Sequence, residues 1–345
     1  MRVPRHLILL VFCFSCLTSA QQAAKRQSVA LRDLVPPADS LAVQDLNFDA
    51  SFAELALRYL KTGDPTLPEQ IAKSAAASHL LNHARNFDYD VPKDTTAALV
   101  ARLLTPASQH LKDMPACQTS LDYFTQNMLA DPHWVVDTLR YLPPDFRFHG
   151  ALFLTFGYDI GVAFGTTASL NCAHPHFGHD PRELKYYAIH ELHHVGFMSY
   201  QPPPHLADIK TCRDLLHLVQ YSTQLEGMAV LAAYQRRRDE GALDGDGDYV
   251  ALQDDLRMQR DEASYFDDLR YLQKRGDAPA DDDAWAVIKR MSSGERLWYR
   301  VGARMAMTIE QVSGRAALQS LIQQGPASFF DTYQRVVSQS QPKPR

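Results

Sequence analysis

The sequence predicts an α+β chain that is predominantly α-helical, and three observations predict it. Helical patterning, with apolar residues returning every three to four positions, covers 41–147 and 181–338. One strand-rich stretch, 148–175, interrupts it, led by the apolar and aromatic run Ala151-Leu152-Phe153-Leu154-Thr155-Phe156 and bounded by Gly157. The third is bulk: 345 residues at 46% hydrophobic content can bury a substantial core.

In chain order, Arg2 and Arg5 precede the apolar run Leu7 to Leu17, and Thr18-Ser19-Ala20 supplies small residues for a signal peptidase. Residues 1–20 are therefore expected to be a cleavable signal peptide, the mature chain starting near Gln21, and the protein to be secreted or periplasmic. Ser15-Cys16 leaves a lipoprotein site open as an alternative. Residues 21–40 read as a linker and 41–147 as helical, with His79 and His83, four apart with no acid between them, taken as structural. Thr166 to Cys172 is the expected partner strand for 151–156. His174, His176 and His179 follow in a Pro- and Gly-containing loop, read as a polar rim or a second metal site. No later run is long and apolar enough for a stable membrane span.

The next helix is predicted over about 181–195: Asp180-Pro181-Arg182-Glu183 has the form of an N-cap, a first-turn proline and a capping-box glutamate, and Gly196 is suited to end it. Leu184, Ala188, Leu192 and Val195 form its buried stripe. His190-Glu191-Leu192-His193-His194 lies on this helix. Positions four apart lie about 40° from each other round the helix, so His190 and His194 project together and can reach one metal ion. Glu191, about 100° further round, is placed to take a proton from water. His193 points nearly opposite the stripe and is read as a supporting or exposed residue.

Catalytic zinc commonly takes three protein ligands, so a third is expected elsewhere. The spacing excludes the three-histidine frame, since Tyr200 stands where the third histidine would be. Leu225-Glu226-Gly227-Met228-Ala229 offers a carboxylate at the head of a helix that runs into Arg236 to Arg238 and stops at Gly241. The alternative reading of Thr223 to Glu226 is an ordinary capping box at a helix start.

H-E-x-x-H followed by E-G-x-A on a second helix resembles the gluzincins, the superfamily of thermolysin and aminopeptidase N. Taken with Tyr299-Arg300-Val301-Gly302-Ala303-Arg304-Met305-Ala306 and Gly325 to Phe330, the chain is also similar to a group of secreted bacterial proteins assigned as zinc-dependent peptidases, over roughly 45–338. The resemblance implies a zincin-like peptidase domain over 41–338, one catalytic Zn2+ held by His190, His194 and Glu226, Glu191 as general base toward a zinc-activated water, and a peptide or protein substrate. Gluzincins place a tyrosine, histidine or arginine beside the zinc for the oxyanion; Tyr299 is the candidate here, readable also as a packed aromatic, with Arg300 and Arg304 weaker. The stretch from Ser199 to Ser222, with Pro202-Pro203-Pro204, has no counterpart in aminopeptidase N. An edge strand pairing with extended substrate is expected above the metal.

Two other classes compete. A non-catalytic zinc-binding protein would keep the ligands without the chemistry. A di-iron helical protein needs a second Glu-x-x-His, for which Asp214 to His217 is the nearest substitute. A net charge of −5 gives no reason to expect nucleic acid. Asp244 to Asp248 reads as a solvated loop, because Tyr249 stands where a calcium loop needs glycine. Cys117, Cys172 and Cys212 would remain after export; one disulfide among them is expected, its pairing open, Cys172 with Cys212 being able to staple the motif.

Overall fold

Helices dominate the computed structural model, which describes residues 42–43, 45–105 and 114–340. The signal-peptide and linker expectations lie outside the described residues. Strand β1 (Asp45–Asp49) is followed by α1 (Ser51–Thr62), α2 (Thr66–Ala72), α3 (Ala75–Asn86), α4 (Thr96–Leu103), α5 (Met114–Tyr123) and α6 (Trp134–Leu139). Strands β2 (His149–Thr155), β3 (Gly161–Phe164) and β4 (Thr167–Asn171) come next. The chain then continues through α7 (Pro175–His179), α8 (Glu183–Tyr200), α9 (Cys212–Asp239), α10 (Gly247–Leu252), α11 (Asp255–Arg275), α12 (Asp282–Lys289), α13 (Leu297–Ser313), α14 (Arg315–Gln324) and α15 (Pro326–Ser340).

Polar residues at helix starts satisfy backbone N–H groups that lack an intrahelical partner. Ser74 caps α3 by accepting from Ala77 N, Thr95 caps α4 by accepting from Ala98 N, and Thr211 with Asp214 forms a reciprocal capping box at α9. The same chemistry corrects two expectations. Thr223 and Glu226 are mid-helix in a 28-residue α9, where the Thr223 hydroxyl bonds Val219 O and the Tyr265 hydroxyl. Gly196 does not end α8, which runs on to Tyr200; a Cβ there would fall 2.3 Å from Leu142 Cδ1 in the core, so the glycine serves close packing.

The four strands lie in the order β1-β2-β4-β3. Both β1 with β2 and β2 with β4 are parallel, while β3 and β4 form an antiparallel hairpin through Gly165 at φ +60°. The expected partnership of 151–156 with 166–172 is present, but as a parallel pair with β3 in the connection. Neither β1 nor β3 is legible as a strand from the pattern, being short and, in β3, flanked by glycines. One sheet face carries α8; α3 packs against β3 and β4. On the far side of α8, α9 crosses it, and α13 packs most extensively on α9.

Cys117 and Cys172 meet in the core with sulfurs 2.6 Å apart. Cys212, buried at the start of α9, faces the Pro279 carbonyl at 3.5 Å, so it does not staple the motif to Cys172. Among the described residues no helix is long and apolar enough to cross a membrane.

Candidate metal centre

α8 and α9 run antiparallel, and His190, His194 and Glu226 meet where they cross. Glu226 Oε2 lies 3.1 Å from Nε2 of His190 and 3.1 Å from Nε2 of His194. The two imidazole rings are 4.4 Å apart at 82°. Three donors of these types fit a zinc ion: at metal–ligand distances of about 2.0–2.1 Å, neighbouring ligand atoms of a tetrahedron stand about 3.3 Å apart. Glu191 presents a carboxylate oxygen within 4.8 Å of both ring nitrogens. All four side chains border a cleft of about 600 Å³.

Burial and mutual charge tune these groups. Burial and the His194 charge lower the His190 imidazolium. Burial acts against the His194 imidazolium as well, but Glu226 outweighs it and raises the group. Burial alone would raise Glu226; His194 and His190 together hold its carboxylate well below the usual range. For Glu191 burial outweighs the His194 charge and pushes the carboxyl up to about 8.

Local backbone explains how each group arrives. Gly161 on β3 faces Glu191, and a Cβ there would stand 2.7 Å from Glu191 Oε1, so the sheet edge approaches the general-base candidate only because the residue is glycine. Gly227 and Gly302 do the same for α9 and α13. A Cβ on Gly227 would fall 2.2 Å from Gly302 C, and one on Gly302 would fall 2.2 Å from Thr223 O. Glu226 precedes one of these glycines and Tyr299 lies one turn before the other, so the close crossing brings Tyr299 to the candidate metal ligands. Its ring stacks toward His190 at 6.5 Å and 20°. Burial, then the Glu226 charge, raise its phenol far above the ordinary value, keeping the hydroxyl protonated.

Arg300 and Arg304 are not in the cleft. Arg300 Nε donates to Asp248 Oδ1 at 2.8 Å, and Arg304 pairs with Asp255 at 3.0 Å. Arg237 and Arg296 border the cleft instead, and it is Arg296 whose guanidinium sits 3.7 Å from the Tyr299 ring centroid and 2.7 Å from Asp248 Oδ2. It adopts φ +54° just before α13, a conformation a non-glycine residue takes only under tertiary constraint. Nothing in the sequence pattern singled it out.

Other expectations need correction. Glu183 is no capping-box residue: it is buried, takes Arg237 Nη1 at 2.6 Å and contacts His176 Nε2 at 2.8 Å. His193 is fully buried, and burial with the two neighbouring imidazoles lowers it to about 3, so it is a neutral core residue. The 244–248 segment is not simply solvated, since Asp248 is buried and Asp246 accepts from the Tyr187 hydroxyl at 2.9 Å. Asp214 is committed to capping α9 and supplies no second metal set. His79 bonds Thr167 and Ser169, and His83, which borders the cleft, bonds the Tyr158 hydroxyl.

Comparison with curated proteins and with solved structures returns no match. A family model does match residues 105–341, a span that takes in α8, α9 and α13. The chain therefore belongs to the family described as "Putative zinc dependent peptidase (DUF5700)".

Proposed function

We propose that the protein is a gluzincin-type peptidase in which His190, His194 and Glu226 hold one Zn2+ and Glu191 is the general base. The observation that carries the reading is Glu226 Oε2 at 3.1 Å from both histidine Nε2 atoms, a convergence of one α9 acid on two α8 imidazoles. When bound, zinc polarises the scissile carbonyl and makes water acidic enough to lose a proton near neutral pH.

The chain's own groups do the rest. A Glu191 carboxylate oxygen takes the proton of the attacking water and returns it to the leaving amine nitrogen; general acid–base help of this kind contributes about 10²–10⁴-fold. Tyr299, kept protonated, donates its O–H to the oxyanion, with Arg296 over its ring and Asp248 holding Arg296. β3, the outer strand of the sheet beside Glu191, receives the extended substrate backbone by strand addition. The substrate is a peptide or protein, and the Arg2, Arg5 and Leu7–Leu17 leader supports action outside the cytoplasm.

Metal analysis of wild type and Glu226→Ala, run together, tests the reading. The expected result is one zinc per chain in the wild type and its loss in the variant. Glu191→Gln should retain zinc and lose hydrolysis. A Glu226→Ala protein holding zinc as tightly as the parent removes Glu226 from the site, and a Glu191→Gln protein cleaving at the parental rate removes Glu191 from the chemistry.

A further inference from the structure

Resting on the peptidase reading, we infer that the cleft selects a bulky apolar side chain beside the scissile bond, received at the end of the α8–α9 seam beyond His194. The two ends of the seam are chemically unlike. Toward the start of α8 the cleft meets Tyr186, Tyr187, Arg237 and Asp246, which are engaged with charged neighbours: the Tyr186 hydroxyl donates to Glu240, the Tyr187 hydroxyl to Asp246, and Arg237 Nη1 to Glu183. Toward the other end its lining is mainly apolar, with Met198, Pro203, Leu206, Leu218 and Leu225 beside Tyr221 and Ser222. Trp285 and Ile288 of α12 join that wall, and Trp285 is one of four large apolar side chains among the described residues left exposed.

The wall is built and close. Met198 is one helical turn past His194 and Leu225 directly precedes Glu226, so this surface begins about 5–6 Å from the metal ligands. Consecutive peptide Cα atoms are about 3.8 Å apart, which puts the residue flanking the cleaved bond there. The proline loop is fixed by the Tyr221 hydroxyl donating to Gln201 O at 3.0 Å and by Gln201 Nε2 donating to Gln323 O at 3.1 Å. The stretch from Ser199 to Ser222, without counterpart in aminopeptidase N, thus forms a wall of the cleft. No side chain named on this wall is charged, so an ionic substrate group would lose its hydration there without a partner.

Zinc-loaded Glu191→Gln protein, titrated with acetylated, amidated hexapeptides that carry Phe, Leu, Asp or Lys at each position in turn, reads the preference without turnover. Zinc-loaded wild type is given the same peptides, with cleavage sites read by mass spectrometry. Phe or Leu at one flanking position should bind about 10- to 100-fold more tightly than Asp or Lys, and both Leu218→Lys and the exposed Trp285→Ala should shrink that ratio while zinc content holds. Cleavage or binding indifferent to the flanking side chain, or a ratio unmoved in Trp285→Ala, overturns the subsite. Apolar-selective binding with no cleavage by wild type overturns the peptidase reading and supports the subsite alone.

Independently, the geometry points to a covalent tie between Cys117 of α5 and Cys172 at the end of β4. Both are completely buried as free thiols whose sulfurs face one another at 2.6 Å, while Cys212 faces the Pro279 carbonyl. Forming the S–S bond removes two thiol protons and two electrons. A protein or low-molecular-weight disulfide of the export compartment accepts both, becoming two thiols by exchange. The tie anchors β4, which carries edge strand β3. Denaturing alkylation of exported protein without reductant should label Cys212 alone and leave a Cys117–Cys172 cross-linked peptide two mass units light. Labelling of all three cysteines, or a Cys172–Cys212 peptide, overturns it.

Discussion

The two ends of the α8–α9 seam differ in a way that separates holding the site from using it. At one end Glu183 and Arg237, both buried, form a paired contact under the rings of Tyr186 and Tyr249, with Arg237 at 4.5 and 4.3 Å from their centroids. At the other, Phe197 and Tyr221 meet edge-on at 5.7 Å and the surface beyond is apolar and open to the cleft. The closed end fixes how far along each other the helices sit, and a shift of one residue in that register would carry Glu226 away from the two imidazoles. The open end has no such duty and can be shaped for a ligand.

The comparison breaks most severely at the closed end. Arg237→Ala leaves the Glu183 carboxylate buried without its cation, a change that costs about 3–5 kcal/mol; thermal denaturation should show the loss, and zinc affinity should fall with it because the helices lose register. Less costly is Gly302→Ala, whose Cβ meets the Thr223 carbonyl, not a movable side-chain tip. Overpacking of this kind costs about 1–3 kcal/mol. If the crossing positions Tyr299, kcat should drop more than zinc content does.

Acid sharpens the contrast from outside the seam. His79 and His83 are held neutral by burial, lowered to about 4 and about 3 from the ordinary 6.5. A depressed imidazole keeps its full contribution to stability above about pH 6.5; as pH falls toward 4 the unfolded chain takes up a proton that the folded one refuses, and stability declines by up to about 1.4 kcal/mol per pH unit for each. Urea denaturation from pH 7 to pH 4 should follow that slope, flattened in His79→Asn, whereas Arg237→Ala should already lower the curve at pH 7, where both imidazoles are neutral in either state. At the open end, Trp285→Ala should alter stability by no more than about 0.5 kcal/mol, as expected of a surface position. Its effect belongs in peptide binding; a large drop in melting temperature would mean that Trp285 is packing the fold.

Much of the site was legible because it is local. His190, Glu191 and His194 share one helix, and helical geometry alone places them side by side. Glu226 was legible only as a residue type in a motif, and its apparent helix start at Thr223 misled, because propensity cannot tell a cap from the middle of a long helix whose ends are set by Thr211 and Glu240. Gly196 misled for the same reason: a glycine marks either a helix end or a close approach, and only Leu142 decides which. β1 and β3 escaped notice because five and four residues carry too little alternation. Arg296 escaped entirely, since nothing in its neighbours marks a guanidinium that lies over Tyr299.

By itself the sequence determined the predominantly helical α+β class, the pairing of two imidazoles with a carboxylate between them, and the choice of Glu226 as the acid to look for. Each follows from periodicity or from the chemistry of adjacent residues. The tertiary structure alone decided that Glu226 meets both imidazoles, that Gly161, Gly227 and Gly302 let backbone approach the site, that Glu183 and Arg237 lock the helices, and that one end of the cleft is apolar. Those contacts join residues tens of positions apart, and only folding brings such groups within reach of one another.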